Sequence, residues 1–594
     1  MITKKLTELR ILANDKKKKK IVRELQRQGL LHIEHLDAPS KDFEKDKSLP
    51  GTDGISLSLL MLEYIMEETG IDTTVHIEKL PSLKEVKKQT QILIDEKYDV
   101  VKKLARRRDE EKENLQDLLS KKANLDRIPF NLEKTRSEKF ENALYFGDEE
   151  VDLSKSGTKI VARKIKYKGK FYYKLTFLMK NKSLVKNHMK KKPLKEIDIS
   201  YVKESSEKEK EILEKKIKES ERKIERIKKE LRDSVNGYQS HIAYLYLCLE
   251  NHYKQHTVTN KFQVSKNHFL LKGFCEPSDV EKIKEIEDIT ILSENPVKAP
   301  TKLENKKMAK PFQEITELFS LPKYGAADPT FLVSLFYPLF FGLMFSDVGY
   351  GLMLLFTLIP IWYKFGEKSK PYIKILALSA ISTILFGFVF GAFFGGLIPI
   401  QPLYDDSFNV SFELLILSLI IGLVHLNIGY GLKLYQSINM GNFSSKLLEV
   451  LPFLLLQVSL ATLYYENWII STAILTVTLG LLFYNKSIFG LMDISGFFGT
   501  WFSYARLLAL NLATAGVALA VNTIADMVVT ISVIGTVLWV LLIVIGHLFN
   551  YVINFIGISI NSARLHYVEF FQQFFEVGGY KFKPFEIKTS NIET

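Results

Sequence analysis

Cysteine is nearly absent from this chain: Cys248 and Cys275 are the only two among 594 residues. That excludes a disulfide framework, and no Cys/His spacing suits a metal ion. A reducing, cytoplasmic setting is therefore expected for the first half. There is no glycine-rich phosphate loop followed by Lys-Ser/Thr, and no convincing catalytic triad. The chain is expected to be no enzyme by itself and to need no cofactor. Behind Met-Ile-Thr-Lys-Lys comes no apolar run, so no cleavable signal peptide is expected. The most informative shortage lies late in the chain. From Ile375 to Glu576 the only Lys or Arg residues are Lys433, Lys446, Lys486, Arg506 and Arg564.

The residues that are present fall into two unlike halves, and the near-zero mean hydropathy is their average. Residues 1 to 325 are dense in Lys and Glu and carry most of the formal charge of +13. That balance reads as a solvated coiled-coil surface near a membrane face, with no nucleic acid among the partners. The basic runs Lys16–Lys20 and Lys190–Lys192 read as solvated faces.

Residues 5–13 read as a strand, followed by a helix from about Lys17 that stops at Gly29 and a second strand over Leu30–Leu36. A related pattern returns at Phe269–Phe274, Pro277–Ile286 and Ile289–Leu292, and both pieces are predicted to share one lobe. Between them two long helices are expected. The first starts after Pro81-Ser82 and ends before Pro129, with a seam of Val101, Leu104, Arg108, Glu111, Leu115, Leu118, Lys122 and Leu125, a heptad with charged interruptions. The second covers Val202–Leu249, with Ile217, Ser220, Ile224, Ile227, Leu231, Ser234, Tyr238, His241 and Leu245 in 3-4 spacing. The expected arrangement is an antiparallel coiled coil, with strand-like runs of 130–200 forming a second lobe at its far end.

Apolar runs in the second half predict spans near 328–346, 348–363, 373–396, 411–432, 447–465, 468–484, 495–529 and 532–575. With the first half placed in the cytoplasm, the inside loops carry Lys364, Lys368, Lys370, Lys374, Lys433, Lys446, Lys486, Lys581, Lys583 and Lys588. The outside loops hold Asp347, Asp405, Asp406, Glu466 and Asp526 but no Lys or Arg, so eight spans with both termini inside are expected. Arg506 and Arg564 then remain as intramembrane charges. A guanidinium stays protonated at any depth, and its mid-bilayer cost is roughly 2.5–3.5 kcal/mol on insertion scales.

On the last run His547, Asn550, Asn554, Gly557, Asn561 and Arg564 are spaced 3, 4, 3, 4, 3, which predicts one polar stripe facing protein or water. On the preceding run Ser495, Gly499, Ser503 and Arg506 share a face, continued by Ala509, Ala513, Gly516 and Ala520. Small residues let another helix approach closely. Both final runs are long enough to demand tilt or projection from the bilayer. Gly387, Gly391 and Gly395 read as helix packing, and Asp347 as either a hairpin cap or an ion carrier. Against a functional Arg506 stands a structural salt bridge, although its own helix offers no acid between it and Asp526. For Arg564 and the asparagine stripe, structural and functional readings both stay open, with His566 and Glu569 close by.

The strings Phe341-Gly-Leu-Met-Phe-Ser-Asp347-Val-Gly-Tyr-Gly351, Ser503-Tyr-Ala-Arg506-Leu-Leu-Ala-Leu, Ser562-Ala-Arg564-Leu-His566-Tyr-Val-Glu569-Phe-Phe and Gly578-Gly-Tyr-Lys-Phe-Lys-Pro-Phe585 stand in that order, after Leu271-Lys-Gly-Phe-Cys-Glu-Pro277. In this the chain resembles subunit I, or a, of the V/A-type rotary ATPases, the membrane stator. The resemblance implies a multi-domain membrane protein: a cytoplasmic α+β part of two α/β lobes joined by a long antiparallel coiled coil, then an eight-helix transmembrane domain. It implies a cytoplasmic domain over 1–325 (proximal lobe 1–80 plus 250–310, coiled coil 81–129 and 202–249, distal lobe 130–200) and a transmembrane domain over 326–594. Arg506, assisted by Arg564, would displace H+ or Na+ from a carboxylate on a c/K-type proteolipid ring. Ser495, Ser503, His547, Asn550, Asn554, Asn561, His566 and Glu569 would line two half-channels. Further implied partners are E/G-type peripheral-stalk subunits, a d/C-type central-stalk subunit and membrane lipid, in a prokaryotic plasma membrane. Asn554 and Thr514 depart from some relatives, which carry an acid and a histidine there. The alternatives are a secondary anion transporter and a membrane-anchored coiled-coil tether.

Overall fold

The computed structural model describes residues 3–36, 43–45, 52–71, 73, 75–126, 128, 140–151, 160–167, 170–189, 192–197, 206–296, 298–403, 410–486, 489–529 and 533–589. The loop acids Asp405 and Asp406, Pro129, Lys190 and Lys191 lie outside these residues, as does much of the stretch 130–200. The chain divides into two units, residues 1–43 with 263–585, and residues 44–262 with 586–594.

The first unit opens on an antiparallel sheet. Strand Thr7–Asn14 lies between His268–Cys275 and Ile289–Glu294, and His32–Glu34 pairs with the other edge of His268–Cys275. Strand residues alternate in facing, so Leu9, Ile11 and Ala13 share one face and all are buried. Helix Lys18–Gln28 covers the sheet with Ile21, Val22 and Leu25 and ends at Gly29. The two β-α-β pieces at opposite ends of the first half thus share one sheet, because each alone offers too few strands to bury a face.

The second unit holds a helix pair. Leu83–Asp126 spans 44 residues, about 66 Å at 1.5 Å per residue. Ser206–Ser234 runs antiparallel to it: Lys122 pairs with Glu214 at 2.8 Å and Lys210 with Asp126 at 2.8 Å. Leu118, Leu125, Leu213 and Ile217 form the buried seam there. The second helix is shorter than its periodicity predicts. Gly237 adopts φ +79, a conformation side chains disfavour, and a new helix begins at Gln239. Past this break the seam is lost, and Tyr238 and His241 are exposed. Helix Thr52–Thr69, unforeseen from the sequence, packs Ile55, Leu62 and Ile65 into a core with Val101, Leu231 and Leu245. A separate four-stranded sheet, in the order Ile160–Tyr167, Lys170–Leu178, Phe140–Gly147 and Lys195–Ile197, is capped by Val185 and Met189 of helix Lys182–Met189.

In the first unit, seven helices among the described residues are long and apolar enough to cross a membrane. An eighth apolar helix, Thr330–Phe345, has only 16 residues and is buried on most of its surface. A tight tip comes next, then helix Val348–Phe365, whose N-cap is Asp347. Helix Lys370–Phe390 ends before Gly391, so the recurrent glycines do not share one helix, yet Gly387 is a close-packing position where a Cβ would stand 2.4 Å from the Val348 nitrogen. Gly395 lies in the turn beyond, at φ +63, where a Cβ would stand 2.5 Å from that of Ala518. The remaining helices are Val410–Met440, Phe443–Tyr464, Trp468–Lys486, Phe489–Phe502, Arg506–Val529 and Val533–Arg564. The penultimate apolar run is therefore not one helix: a 3-10 turn at Ser503–Ala505 breaks it just before Arg506. The last helix passes into a π-helical turn over Leu565–Phe570.

Candidate functional site

Arg506 begins its helix, and its guanidinium lies against the π-helical turn of the last helix. Its Nη1 stands 3.6 Å from Glu569 Oε1. That is an ion pair but too long for a hydrogen bond. Nη1 is buried without a hydrogen-bond partner, and so is Glu569 Oε2. The Arg506 side chain keeps 23% of its surface open, whereas Glu569 keeps 3%. The counter-ion that its own helix lacks comes from the last helix. A π turn inserts one residue per turn relative to an α-helix and re-aims the side chains beyond it. Here it carries His566 and Glu569, both buried, while the preceding Arg564 is exposed.

Beside the π turn stands an aromatic and imidazole cluster, of which the sequence reading named His566 and missed His425. His425, on helix Val410–Met440, is fully buried. Its Nδ1 meets the Tyr504 hydroxyl at 2.8 Å, and its ring stacks on Phe570 at 4.0 Å between centroids. His566 lies 5.2 Å from it, ring to ring. The Nδ1 of His566 donates to the Ser562 carbonyl at 2.8 Å, since a carbonyl only accepts. In the neutral ring that leaves Nε2 as a bare acceptor. A lone histidine inside an apolar span was the available signal for His425.

A second polar network lies further along the same two helices. Tyr350 Oη meets His547 Nδ1 at 2.7 Å and accepts from Asn550 Nδ2 at 2.7 Å. His547 Nε2 meets Asn522 Oδ1 at 2.9 Å, so Asn522 accepts from the ring. Asn522 Nδ2 donates to the Phe394 carbonyl at 2.8 Å, and Asn550 donates to the Thr514 carbonyl at 3.2 Å. Asp347 fastens the backbone beside them. It accepts from the N–H groups of Tyr350, Phe394 and Gly395 at 3.1, 3.0 and 2.9 Å. Three amide donors satisfy a buried carboxylate that no cation approaches among the described residues. Asp347 is thus a cap and a clamp on the turn after Phe390.

The stripe from His547 to Arg564 does not keep one facing. His547 and Asn550 are buried, Asn554, Gly557 and Asn561 half-buried, and Arg564 exposed. A 3-4 spacing averages 3.4 residues per turn against 3.6, so the row turns roughly 100° around a straight helix over its length. Asn554 donates to the Asn550 carbonyl at 2.9 Å, and Asn561 to the Gly557 carbonyl at 2.8 Å. Ser503 donates likewise to the Gly499 carbonyl at 2.8 Å. Ser495 is exposed. Beyond Arg506 the residues Ala509, Ala513, Gly516 and Ala520 all lie exposed on one side of their helix, and the buried Thr514, Ala518 and Asn522 lie on the other.

Fold and site together define an integral membrane protein with an α/β N-terminal part, whose last two long helices carry an arginine at an open face of small residues. The family model described as the V-type ATPase 116kDa subunit family matches residues 185–415. A-type ATP synthase subunit I of Methanocaldococcus jannaschii is 33% identical over 55% of this chain and 56% of its own length. The subunit I proteins of Methanothermobacter thermautotrophicus and Pyrococcus horikoshii are each 30% identical, over 62% and 64% of this chain and 59% and 63% of their own lengths. In these matches the chain is similar to the subunit I proteins of the V/A-type rotary ATPases. It spans a little under two thirds of the length of these relatives. A crystal structure of the cytoplasmic N-terminal domain of subunit I is also similar, at 12% identity over 48% of this chain and all of that one, with a TM-score of 0.29 too low to bear on the fold.

Proposed function

We propose that this chain is the non-catalytic membrane stator of a V/A-type rotary ATPase or ATP synthase. Arg506, assisted by Arg564, displaces H+ or Na+ from a carboxylate on each passing subunit of a c/K-type proteolipid ring. The observation that carries this reading is Arg506 itself. Its Nη1 has no hydrogen-bond partner among the described residues, its side chain lies partly open, and it heads a helix face of small exposed residues. Large residues there would hold a neighbour in register; alanine and glycine let a helix approach and slide. An opposite charge within about 4–6 Å lowers a carboxylate pKa by 1–3 units in typical cases, which releases a bound proton or cation.

The network at His547, Asn550 and Asn554 and the pocket of His566 and Glu569 are assigned to two offset half-channels, one toward each membrane face. Ser495, Ser503 and Asn561 line the approach between them. Thr330–Phe345 is taken as an eighth span, sheltered by its neighbours, so that both termini are cytoplasmic and the membrane is a prokaryotic plasma membrane. Residues 1–325 form the cytoplasmic domain, in which the antiparallel pair acts as a coiled-coil strut. Its lobes hold E/G-type peripheral stalks and meet a d/C-type central-stalk subunit, so that torque is resisted. The test is Arg506→Ala in the whole complex. ATP-driven ion transport is abolished while assembly survives; normal transport by a well-assembled variant overturns the reading.

A further inference from the structure

Placing Glu569 at a half-channel does not explain why its carboxylate is paired with Arg506 itself. Glu569 is almost fully enclosed and comes from a different helix, aimed at the guanidinium by the π-helical turn. The two charges stand at 3.6 Å, near enough to neutralise one another and too far to hydrogen-bond. Charge-assisted hydrogen bonds normally form at about 2.7–2.9 Å. Nη1 and Oε2 both remain unspent. Arg564 also acts electrostatically on the same carboxylate, from the other end of the turn. Such a pair is neutral in sum and loose in geometry. It shields Arg506 from the cost of an uncompensated charge, yet leaves its donors open to a better-placed acceptor.

We propose that Glu569 is the resident counter-ion of Arg506, released by the guanidinium each time a ring carboxylate arrives and re-engaged when it leaves. This rests on the reading of the chain as a rotary stator. Besides its place at the half-channel, Glu569 sets how strongly Arg506 holds the visiting carboxylate. Too strong a hold keeps that carboxylate ionised and delays its reloading. Tyr504, His425 and His566, neighbours of the pair along their helices, are themselves buried.

The test uses the whole complex, ring and ATPase subunits included, reconstituted in lipid vesicles. ATP-driven uptake is measured against the concentration of H+ and of Na+ on the loading side. Glu569→Gln leaves Arg506 uncompensated, so half-saturation of loading requires about tenfold more ion, the low end of typical charge effects. A purely structural role would lower assembly or maximal rate without moving half-saturation. Glu569→Asp keeps the charge but draws it back by one methylene, and a smaller shift in the same direction is expected. An assembled Glu569→Gln complex with unchanged half-saturation overturns the proposal. If that variant fails to assemble, an unshifted Glu569→Asp complex overturns it equally. Failure of the underlying reading looks different: Arg506→Ala then still transports, whatever Glu569 does.

Discussion

Arg506 and Glu569 face each other at 3.6 Å from two different helices, and neither completes a hydrogen bond with the other. A buried pair of that kind is poor stabilisation and a good reservoir of unspent donors. The planar fork of the guanidinium matches a carboxylate in a way an ammonium cannot. Arg506→Lys keeps the net charge but loses the fork. Charge-assisted hydrogen bonds contribute about 1.5–3 kcal/mol, so ion transport by the assembled complex is expected to fall roughly 10- to 100-fold. Transport at the wild-type rate would show that charge alone suffices.

The open face of small residues gives a second expectation. Gly516 is exposed, and a Cβ there meets nothing within 4 Å. Gly516→Leu should leave the stability of the isolated chain within about 0.5 kcal/mol, as for other surface changes. In the complex the same change should block association with the ring or stall transport. A leucine variant that assembles and transports normally would show that no partner runs along this face.

Tyr350 is the hinge of the second polar network. Its hydroxyl accepts from Asn550 and meets His547. Tyr350→Phe preserves the ring and strips both partners. Each buried group left unsatisfied costs about 1–3 kcal/mol. Thermal unfolding of the detergent-solubilised chain should show destabilisation in that range, and Asn550→Ala in the phenylalanine background should add little.

Just past the strand His268–Cys275, Glu276 receives Lys302 at 2.6 Å and Lys4 at 2.7 Å, and Lys4 also reaches Glu304 at 2.8 Å. Burial pushes the Glu276 carboxyl up, but the hydrogen bonds from Lys302 and Lys4 outweigh it and hold it below the ordinary carboxylate range. A depressed carboxylate contributes stability that is present above its unfolded pKa and is lost as pH falls through its folded value. The sheet should therefore weaken on acidification below about pH 4.5, and Glu276→Gln should flatten that dependence. Unfolding midpoints measured across pH 7 to 3 decide it.

Both thiols are buried and free. Burial pushes Cys248 up to about 11 and Cys275 up to about 12. Because the thiolate is the reactive species, neither should be alkylated by iodoacetamide at pH 8 in the folded chain. Both should react on addition of denaturant, and labelling of the native chain within minutes would contradict the packing.

Periodicity and composition along the chain determined much of the molecule. The apolar runs marked where helices form, because a membrane helix satisfies its own backbone and needs only length and composition. The lone arginines stood out for the same reason. The strands read at residues 5–13 and 269–274 predicted a shared sheet, and the small residues after Arg506 predicted the open face. Other features were settled only by the tertiary structure. Which acid meets Arg506, and that His425 meets Tyr504, depend on helices far apart in sequence and on a π turn that no local pattern announces. Where the long helix stops at Ser234 depends on Gly237, whose positive φ overrides a seam that the spacing alone would continue. The polar stripe that began as one face was divided by helical geometry into a buried end at His547 and an open end at Arg564. A one-dimensional pattern carries spacing, whereas counter-ions and hydrogen-bond partners are set by what packing brings within a few ångströms.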